Sequence, residues 1–246
     1  MRYFLELEYF GKGYHGWQRQ PNALSVQEVV EQSLSTLLQQ NTEIFGAGRT
    51  DSGVHARQIF AHFDAEVELE ENFIFRMNAL LPQDIAVKEL FKVTPEAHAR
   101  FDAVSRSYEY HIVTRKDVFT TDAAYYIHKE LDLEKMKQAA NILMNYTSFK
   151  CFSRSRTDVF TYNCTIKKAE WEQQEEKLIF HITADRFLRN MVRAIVGTLL
   201  QIGQGKLEVE EMHRIIKSED RSNAGASVPA HGLYLTRIIY PKGIFI

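Results

Sequence analysis

One eleven-residue stretch, GAGRTDSGVHA (residues 46–56), brings together side chains that can bind or react. It contains three glycines together with Arg49, Asp51 and His55. Glycine-rich loops bind phosphate, and carboxylate and imidazole groups bind metal ions. A single ionised carboxylate can instead act as a general base or a nucleophile. A purely structural interpretation also exists, because Asp and Ser favour turns and glycine permits positive φ.

The phosphate interpretation fails on the neighbouring residues. Gly48 to Gly53 matches the G-x-x-x-x-G half of a P-loop, but Val54 and His55 follow where that loop requires Lys and Ser or Thr. The G-x-G-x-x-G pattern fails as well, since Asp51 stands three residues after Gly48. A carboxylate inside the loop would also repel phosphate.

The metal interpretation has weak support. Asp51, His55 and His62 could supply oxygen and nitrogen ligands, but no H-E-x-x-H or C-x-x-C pattern accompanies them. Arg49 could pair with the Asp51 carboxylate and keep it ionised. The residues alone therefore predict a candidate catalytic Asp51, with a turn as the structural alternative and with no substrate identified.

The motif closely resembles the catalytic motif of the tRNA pseudouridine synthase A family, and the likeness covers nearly the whole chain. Six further segments match that family in order and spacing. They are YFGKGYHGWQRQ with SVQE, MNALLPQDIAV, HARFDAVSRSYEY, NYTSFK, ADRFLRNMVRAIVG and GLYLTRIIYP. The resemblance implies isomerisation of uridine to pseudouridine at positions 38, 39 and 40 of the tRNA anticodon stem-loop, without a cofactor or metal.

The resemblance also implies roles for three residues. Asp51 matches the nucleophile, whose attack on the sugar C1′ or the uracil C6 the sequence leaves open. Tyr108 matches the tyrosine that lies against the target base, although Tyr108 and Tyr110 at strand spacing could equally be core residues. Arg193 matches the arginine that pairs with the catalytic aspartate.

Other arginines are candidates for RNA contacts. Arg49 is expected to enter the RNA stem and steady the displaced nucleotide. The remaining candidates would contact backbone phosphates, which set register without reading sequence: Arg57, Arg100, Arg154, Arg156, Arg186 and Arg189. We expect Arg186, Arg189 and Arg193 to lie early in one helix, where the helix dipole disfavours cations. An anion, either Asp51 or RNA phosphate, should then compensate for them unless the helix begins later.

The elements that must position these residues are predicted by periodicity. YFLELEYF alternates as a strand, and Ser25 with Glu28 fits a capping box before a helix. KKAEWEQ and KLIFHITA predict a hairpin, FLRNMVRAIVGTLLQIG predicts a helix and GLYLTRIIY predicts a final strand. These elements predict an α+β, two-domain architecture with a mixed, mainly antiparallel sheet and flanking helices, and the resemblance implies that this is the pseudouridine synthase fold. The predicted domains are residues 1–100, which carry the Asp51 loop, and 101–246, which carry Tyr108 and the Arg193 helix.

Composition sets the remaining expectations. The 246 residues can bury a sizeable core, and the two cysteines do not make a disulfide framework. A net charge of −2 argues against indiscriminate coating of nucleic acid but permits a local basic groove. No signal peptide or membrane span is predicted, so we expect a compact catalytic core in the cytoplasm. The resemblance implies a homodimer that holds the anticodon arm across both subunits, with tRNA as its partner.

Overall fold

The computed structural model describes residues 1–154 and 160–246, which form two compact units. The first unit contains residues 1–104 together with 234–246, and the second contains residues 105–233. Each unit combines helices with a sheet, so the α+β prediction is confirmed. The helices of residues 1–154 and 160–246 include none with the length and hydropathy of a membrane span.

The helices and strands follow one another in the predicted order. From the N-terminus they are β1 (Arg2–Tyr9), α1 (Val26–Leu38), β2 (Phe45–Gly46), β3 (His55–Asp64), α2 (Phe73–Leu80) and β4 (Ile85–Val93). They continue as β5 (Ser105–Val113), β6 (Tyr125–Tyr126), α3 (Leu133–Ile142), β7 (Ile166–Gln174), β8 (Lys177–Ala184), α4 (Met191–Gly203), α5 (Glu211–Ser218) and β9 (Leu233–Ile239).

The sheet of the first unit has the strand order β4-β1-β3-β9, with β2 paired to β3. β1 is antiparallel to both β3 and β4, whereas β3 and β9 pair in parallel through His55 with Tyr234. The chain enters β3 directly from the GAGRTDSGVHA loop, so this strand fixes one end of the loop that carries Asp51.

β1 buries the face that its alternation predicts and, in addition, one residue of the opposite face. The predicted buried face consists of Tyr3, Leu5, Leu7 and Tyr9. Phe4 on the opposite face is also fully buried, because the rings of Tyr240 and Phe245 pack against it at 5.1 and 6.1 Å. The Tyr240 hydroxyl donates a hydrogen bond of 2.6 Å to the carbonyl of Ala99. Residues 234–246 thus belong to the first unit, whereas the sequence-based prediction assigned all of residues 101–246 to the second domain.

The first helix begins where the capping pattern predicts. The Ser25 hydroxyl accepts a hydrogen bond from the Glu28 backbone N–H at 3.3 Å, which satisfies one of the unpaired amides at the start of α1. The side chains of Val26, Val30 and Leu34 form its buried stripe. α1 therefore packs an apolar face at the predicted helical spacing.

The second unit is built on the antiparallel strands β7-β8-β5, and β6 pairs in parallel with β5. The predicted hairpin is formed by β7 and β8. Trp171 and Phe180 pack across it with ring centroids 5.0 Å apart. The helix α3 packs against α4 and β7, and nearly every residue of α4 is buried. α4 is therefore a rigid core element rather than a surface helix.

Candidate active site

Asp51 lies in a tight turn immediately before β3. The backbone carbonyl of Asp51 accepts a hydrogen bond of 3.2 Å from Val54 N–H, which closes the turn. Asp51 itself is half-buried, while Val54 is fully inside the protein. The turn therefore combines a partly accessible Asp51 with a buried Val54.

A second segment, residues 11–17, holds this turn through the backbone. Gly53 N–H donates to the carbonyl of Tyr14 at 3.2 Å, and Trp17 N–H donates to the carbonyl of Thr50 at 3.4 Å. These two hydrogen bonds lie on either side of Asp51. Fixing the backbone on both sides reduces the conformations available to the carboxylate, which is the arrangement that a reacting group requires.

Side chains anchor the same assembly. The hydroxyls of Tyr9 and Thr50 share a hydrogen bond of 2.8 Å. Tyr14 donates from its hydroxyl to the Asp84 carboxylate at 2.6 Å, and burial followed by this bond raises the pKa of Tyr14. Tyr14 is therefore a neutral donor at physiological pH, and Asp84 ties the 11–17 segment to the start of β4.

The two histidines considered as metal ligands have structural contacts instead. His55 Nδ1 accepts a hydrogen bond from Gly11 N–H at 2.9 Å, and His62 Nδ1 accepts one from Ala99 N–H at 3.2 Å. Both imidazoles are buried. Within residues 1–154 and 160–246, no group of three or more His, Cys, Asp or Glu side chains is arranged to hold a metal ion. His55 therefore supports the turn next to Asp51 as a buried acceptor.

Replacing His62 by asparagine should weaken the acid dependence of stability. Burial, helped by His98 and Arg2 and opposed by Asp64, lowers the pKa of His62 to about 4. The unfolded imidazole protonates near pH 6.5, so the unfolded state binds more protons between about pH 6.5 and 4. The free energy of unfolding therefore falls as the pH drops through that window.

Urea unfolding at about pH 7 and pH 4.5 measures this effect. Asparagine can keep an acceptor for Ala99 N–H but cannot protonate in this range, so His62→Asn should lose less stability on acidification than the wild type. Equal losses in the two proteins would show that His62 does not contribute.

Gly16 allows the close approach of the 11–17 segment to the turn. Its φ is +89°, and a methyl group there would overlap the carbonyl oxygen of Thr50. Gly16→Ala should therefore displace the turn and lower both stability and turnover. Gly243→Ala is the matched control, because Gly243 has a φ of +97° but open space around it.

Comparing the two glycine variants separates the effect of backbone strain, which both share, from the effect of displacing the Asp51 turn, which only Gly16→Ala should cause. Each should cost roughly 1–3 kcal/mol of backbone strain, but only Gly16→Ala should also slow the single-turnover rate at saturating substrate. Equal rates in both variants would show that the contact between Gly16 and Thr50 does not position Asp51.

The arginines of the first unit that were candidates for RNA contacts are all exposed. Arg49 lies two residues before Asp51 in the loop. Arg57 lies on β3, with its guanidinium carbon 5.3 Å from the centre of the Tyr234 ring, and Arg100 lies 5.5 Å from the centre of the Phe101 ring. Arg49 and Arg57 thus flank the Asp51 turn in sequence, while Arg100 lies on the segment after β4.

The two tyrosines of β5 differ in their environments although they share a face of the strand. Tyr110 is fully buried, and its hydroxyl donates to the carbonyl of Pro229 at 2.8 Å. Burial raises the pKa of Tyr110. Tyr108 is only half-buried and meets the Phe187 ring edge-on at 5.1 Å. Tyr110 is therefore a core residue, and Tyr108 retains accessible ring surface.

The helix α4 begins later than the sequence pattern predicts. Asn190, with a φ of +67°, precedes the first helical residue, Met191. Arg186 and Arg189 therefore lie before the helix, and only Arg193 occupies its first turn. The expectation that all three cations share the helix start is wrong, because a left-handed residue interrupts the helical path.

Arg193 is fixed by the segment that precedes β9. Its Nε donates to the carbonyl of Val228 at 2.7 Å, and Val228 N–H donates to the carbonyl of Arg193 at 3.2 Å. The guanidinium has five N–H donors, and the other four are on its two terminal nitrogens. The bond at Nε orients the plane in which those terminal donors lie.

The remaining arginines lie before α4 and in the preceding loop. Arg154 and Arg189 are exposed, and Arg154 N–H donates to the carbonyl of Arg189 at 3.1 Å. This bond brings two of the predicted RNA-contact residues together. Arg186 is half-buried, and Arg156 lies outside the described residues.

Several residues that shape these loops were not singled out from the sequence. They are Tyr9, Tyr14, Gly16 and Asp84 around the Asp51 turn, and Thr198, Arg221 and Ser227 around Arg193. The glycines and aromatic residues of GKGYHGW were a usable signal for the first set, because a tight backbone approach requires glycine.

Comparison with known proteins identifies the family. Residues 144–241 match the family model described as tRNA pseudouridine synthase. The chain is 51% identical to tRNA pseudouridine synthase A of Bacteroides fragilis, across 99% of this chain and 98% of the relative. The protein of the same name from Parabacteroides distasonis is 48% identical over the same shares, and that of Acetivibrio thermocellus is 37% identical over 96% and 98%. The resemblance predicted from the motifs is confirmed, and the chain belongs to the tRNA pseudouridine synthase A family.

Proposed function

We propose that this protein isomerises uridine to pseudouridine at positions 38, 39 and 40 of the tRNA anticodon stem-loop, with Asp51 as the nucleophile. Family membership makes it an isomerase that acts on uridine in tRNA. Positions 38, 39 and 40 are those that the sequence resemblance implies. The observation that carries the assignment of Asp51 is the turn around it, whose backbone is hydrogen-bonded on both sides to residues 11–17.

A fixed carboxylate suits the chemistry. The bond between C1′ of the ribose and N1 of uracil breaks, the base rotates, and C5 bonds to C1′. The C5 hydrogen leaves as a proton and N1 gains one, so substrate and product are isomers. No electrons are exchanged and no water is consumed, so the reaction as proposed uses no redox cofactor. Asp51 holds one fragment covalently while the base turns.

Tyr108 and Arg193 assist in this proposal. The accessible ring of Tyr108 stacks on the uracil, and base–aromatic stacking of about 1–3 kcal/mol offsets part of the cost of extracting the base from the stem. Arg193 is the cationic partner of the catalytic carboxylate, as the sequence resemblance implies. Its fixed Nε supports this role, because an oriented guanidinium loses little entropy when it engages a carboxylate.

Arginines of both units supply the RNA contacts. Arg49 steadies the displaced nucleotide, and phosphate contacts come from Arg57, Arg100, Arg154, Arg156, Arg186 and Arg189. The protein acts as a cytoplasmic homodimer, so that two weakly basic surfaces face one tRNA. Light scattering of the purified protein tests the dimer, and a monomer at concentrations that support activity would contradict it.

Tritium release tests the proposed positions. Isomerisation frees the C5 hydrogen, so transcripts with [5-³H]uridine only at positions 38–40 should release tritium to solvent in the presence of EDTA. Transcripts with labelled uridine only outside these positions and cytidine at 38–40 are the control. Equal release from both transcripts would contradict the positional assignment, and dependence on added metal ions would contradict the cofactor-free mechanism.

A further inference from the structure

The segment between α5 and β9, residues 224–228, packs against α4 without space for additional atoms. A methyl group at Gly197 would overlap the carbonyl oxygen of Ala226. Gly225 N–H donates to the Thr198 hydroxyl at 2.8 Å, and Thr198 is fully buried. The middle of the 224–228 segment is therefore fixed to the helix that carries Arg193.

Arg221 holds the same segment from its other side. One terminal nitrogen of its guanidinium donates to the carbonyls of Ala224 and Gly225 at 3.2 and 3.1 Å. The other donates to the Ser227 hydroxyl at 3.0 Å. The Arg221 side chain thus donates hydrogen bonds to three acceptors within four residues. A planar guanidinium can donate to all three acceptors at once. A lysine ammonium is smaller and would reach only some of them.

The last residue of the segment contacts Arg193 directly. Val228 accepts from Arg193 Nε and donates its N–H to the Arg193 carbonyl. Ser227, which Arg221 also holds, accepts a hydrogen bond from the Asn190 side chain at the start of α4. A continuous set of hydrogen bonds therefore runs from Arg221 through residues 224–228 to the Arg193 guanidinium.

We propose that Arg221 is a positioning residue for Arg193 and acts through the 224–228 segment rather than by contacting RNA. The inference rests on the catalytic role proposed above for Arg193. Without Arg221, the segment keeps its contacts to Thr198 and Asn190, but the carbonyls of Ala224 and Gly225 are no longer linked to the Ser227 hydroxyl by one side chain. Val228, and with it the plane of the Arg193 guanidinium, then loses its fixed orientation. A small displacement of a catalytic group lowers the reaction rate strongly while the substrate can still bind.

A double-mutant cycle tests this positioning role. Arg221→Ala should lower the single-turnover rate at saturating tRNA by at least about tenfold while the Kd for tRNA changes by less than about twofold. Arg221→Lys should recover part of the rate. In an Arg193→Gln background, Arg221→Ala should cause little further loss, because residues that act through one another are not additive. Arg214→Ala is the matched control, since Arg214 is an exposed arginine of the same unit that pairs with Glu211.

The outcomes are distinguishable. A wild-type rate for Arg221→Ala, or the same loss in both backgrounds, would overturn the inference, as would a loss confined to Kd. A wild-type rate for Arg193→Gln would instead overturn the proposed role of Arg193. If Arg221→Ala does not fold, Ser227→Ala removes one of the three Arg221 bonds together with the bond from Asn190, and the same non-additivity with Arg193→Gln is expected.

Discussion

Replacing Asp51 by asparagine should reduce pseudouridine formation by at least about 10⁴-fold, because an amide cannot act as the attacking group. The side chain keeps its size, and the turn keeps its backbone hydrogen bonds to Tyr14 and from Trp17. The fold and the affinity for tRNA should therefore stay close to those of the wild type. Single-turnover tritium release, thermal unfolding and tRNA binding measure the three quantities separately.

Ser52→Ala is the control for this substitution. Ser52 is exposed on the same turn, and its hydroxyl donates to the Tyr14 carbonyl at 3.3 Å. Its loss should change the rate by no more than a few-fold, since exposed substitutions usually have small effects. An equal loss of rate in Ser52→Ala and Asp51→Asn would indicate that the turn's structure, and not the carboxylate, is responsible.

Replacing Arg193 by alanine has the second-largest expected effect. It removes a positive charge and an oriented set of donors, and the loss of one such electrostatic group typically costs about 10²–10³-fold in rate. The bond from Nε to Val228 is lost as well. Arg193→Gln keeps a donor for Val228 but removes the charge, so it should retain the fold and still react slowly.

Arg189 provides the contrast for Arg193. It is exposed before the helix, so Arg189→Ala should weaken tRNA binding and reduce its salt dependence while the rate at saturating tRNA stays near the wild-type value. Arg193 variants should show the opposite pattern, with reduced rate and little change in Kd. Unchanged single-turnover kinetics for Arg193→Ala would contradict its assignment.

Local patterns predicted most of the elements, because their signals come from neighbouring residues. The alternation in β1, the Ser25 cap of α1 and the β7–β8 hairpin all follow from periodicity within one segment. The start of α4 could not be predicted in this way. The left-handed Asn190 and the hydrogen bond between its side chain and Ser227 join residues 37 positions apart.

Long-range contacts also explain the difference in domain assignment. β9 follows the second unit in sequence, but Tyr240, directly after β9, packs against Phe4 and donates a hydrogen bond to Ala99, 141 residues away. No periodicity within β9 indicates that partner. The fold class was predictable from local patterns, whereas the unit to which the last strand belongs depends on tertiary packing.

The same distinction applies to the candidate site. The motif identified Asp51, because a single carboxylate among glycines is visible in eleven residues. The contacts that hold it come from Tyr9, Tyr14 and Trp17, more than thirty positions earlier in the chain. The surroundings of Arg193 are equally distant in sequence, since its Nε partner Val228 lies 35 positions away.

The most direct test of the account is pseudouridine mapping of an unmodified tRNA transcript after incubation in EDTA. Carbodiimide labelling and primer extension should give stops at positions 38–40 with the wild-type protein and none with Asp51→Asn. Stops of equal strength with Asp51→Asn would contradict the central claim that the Asp51 carboxylate carries out the reaction.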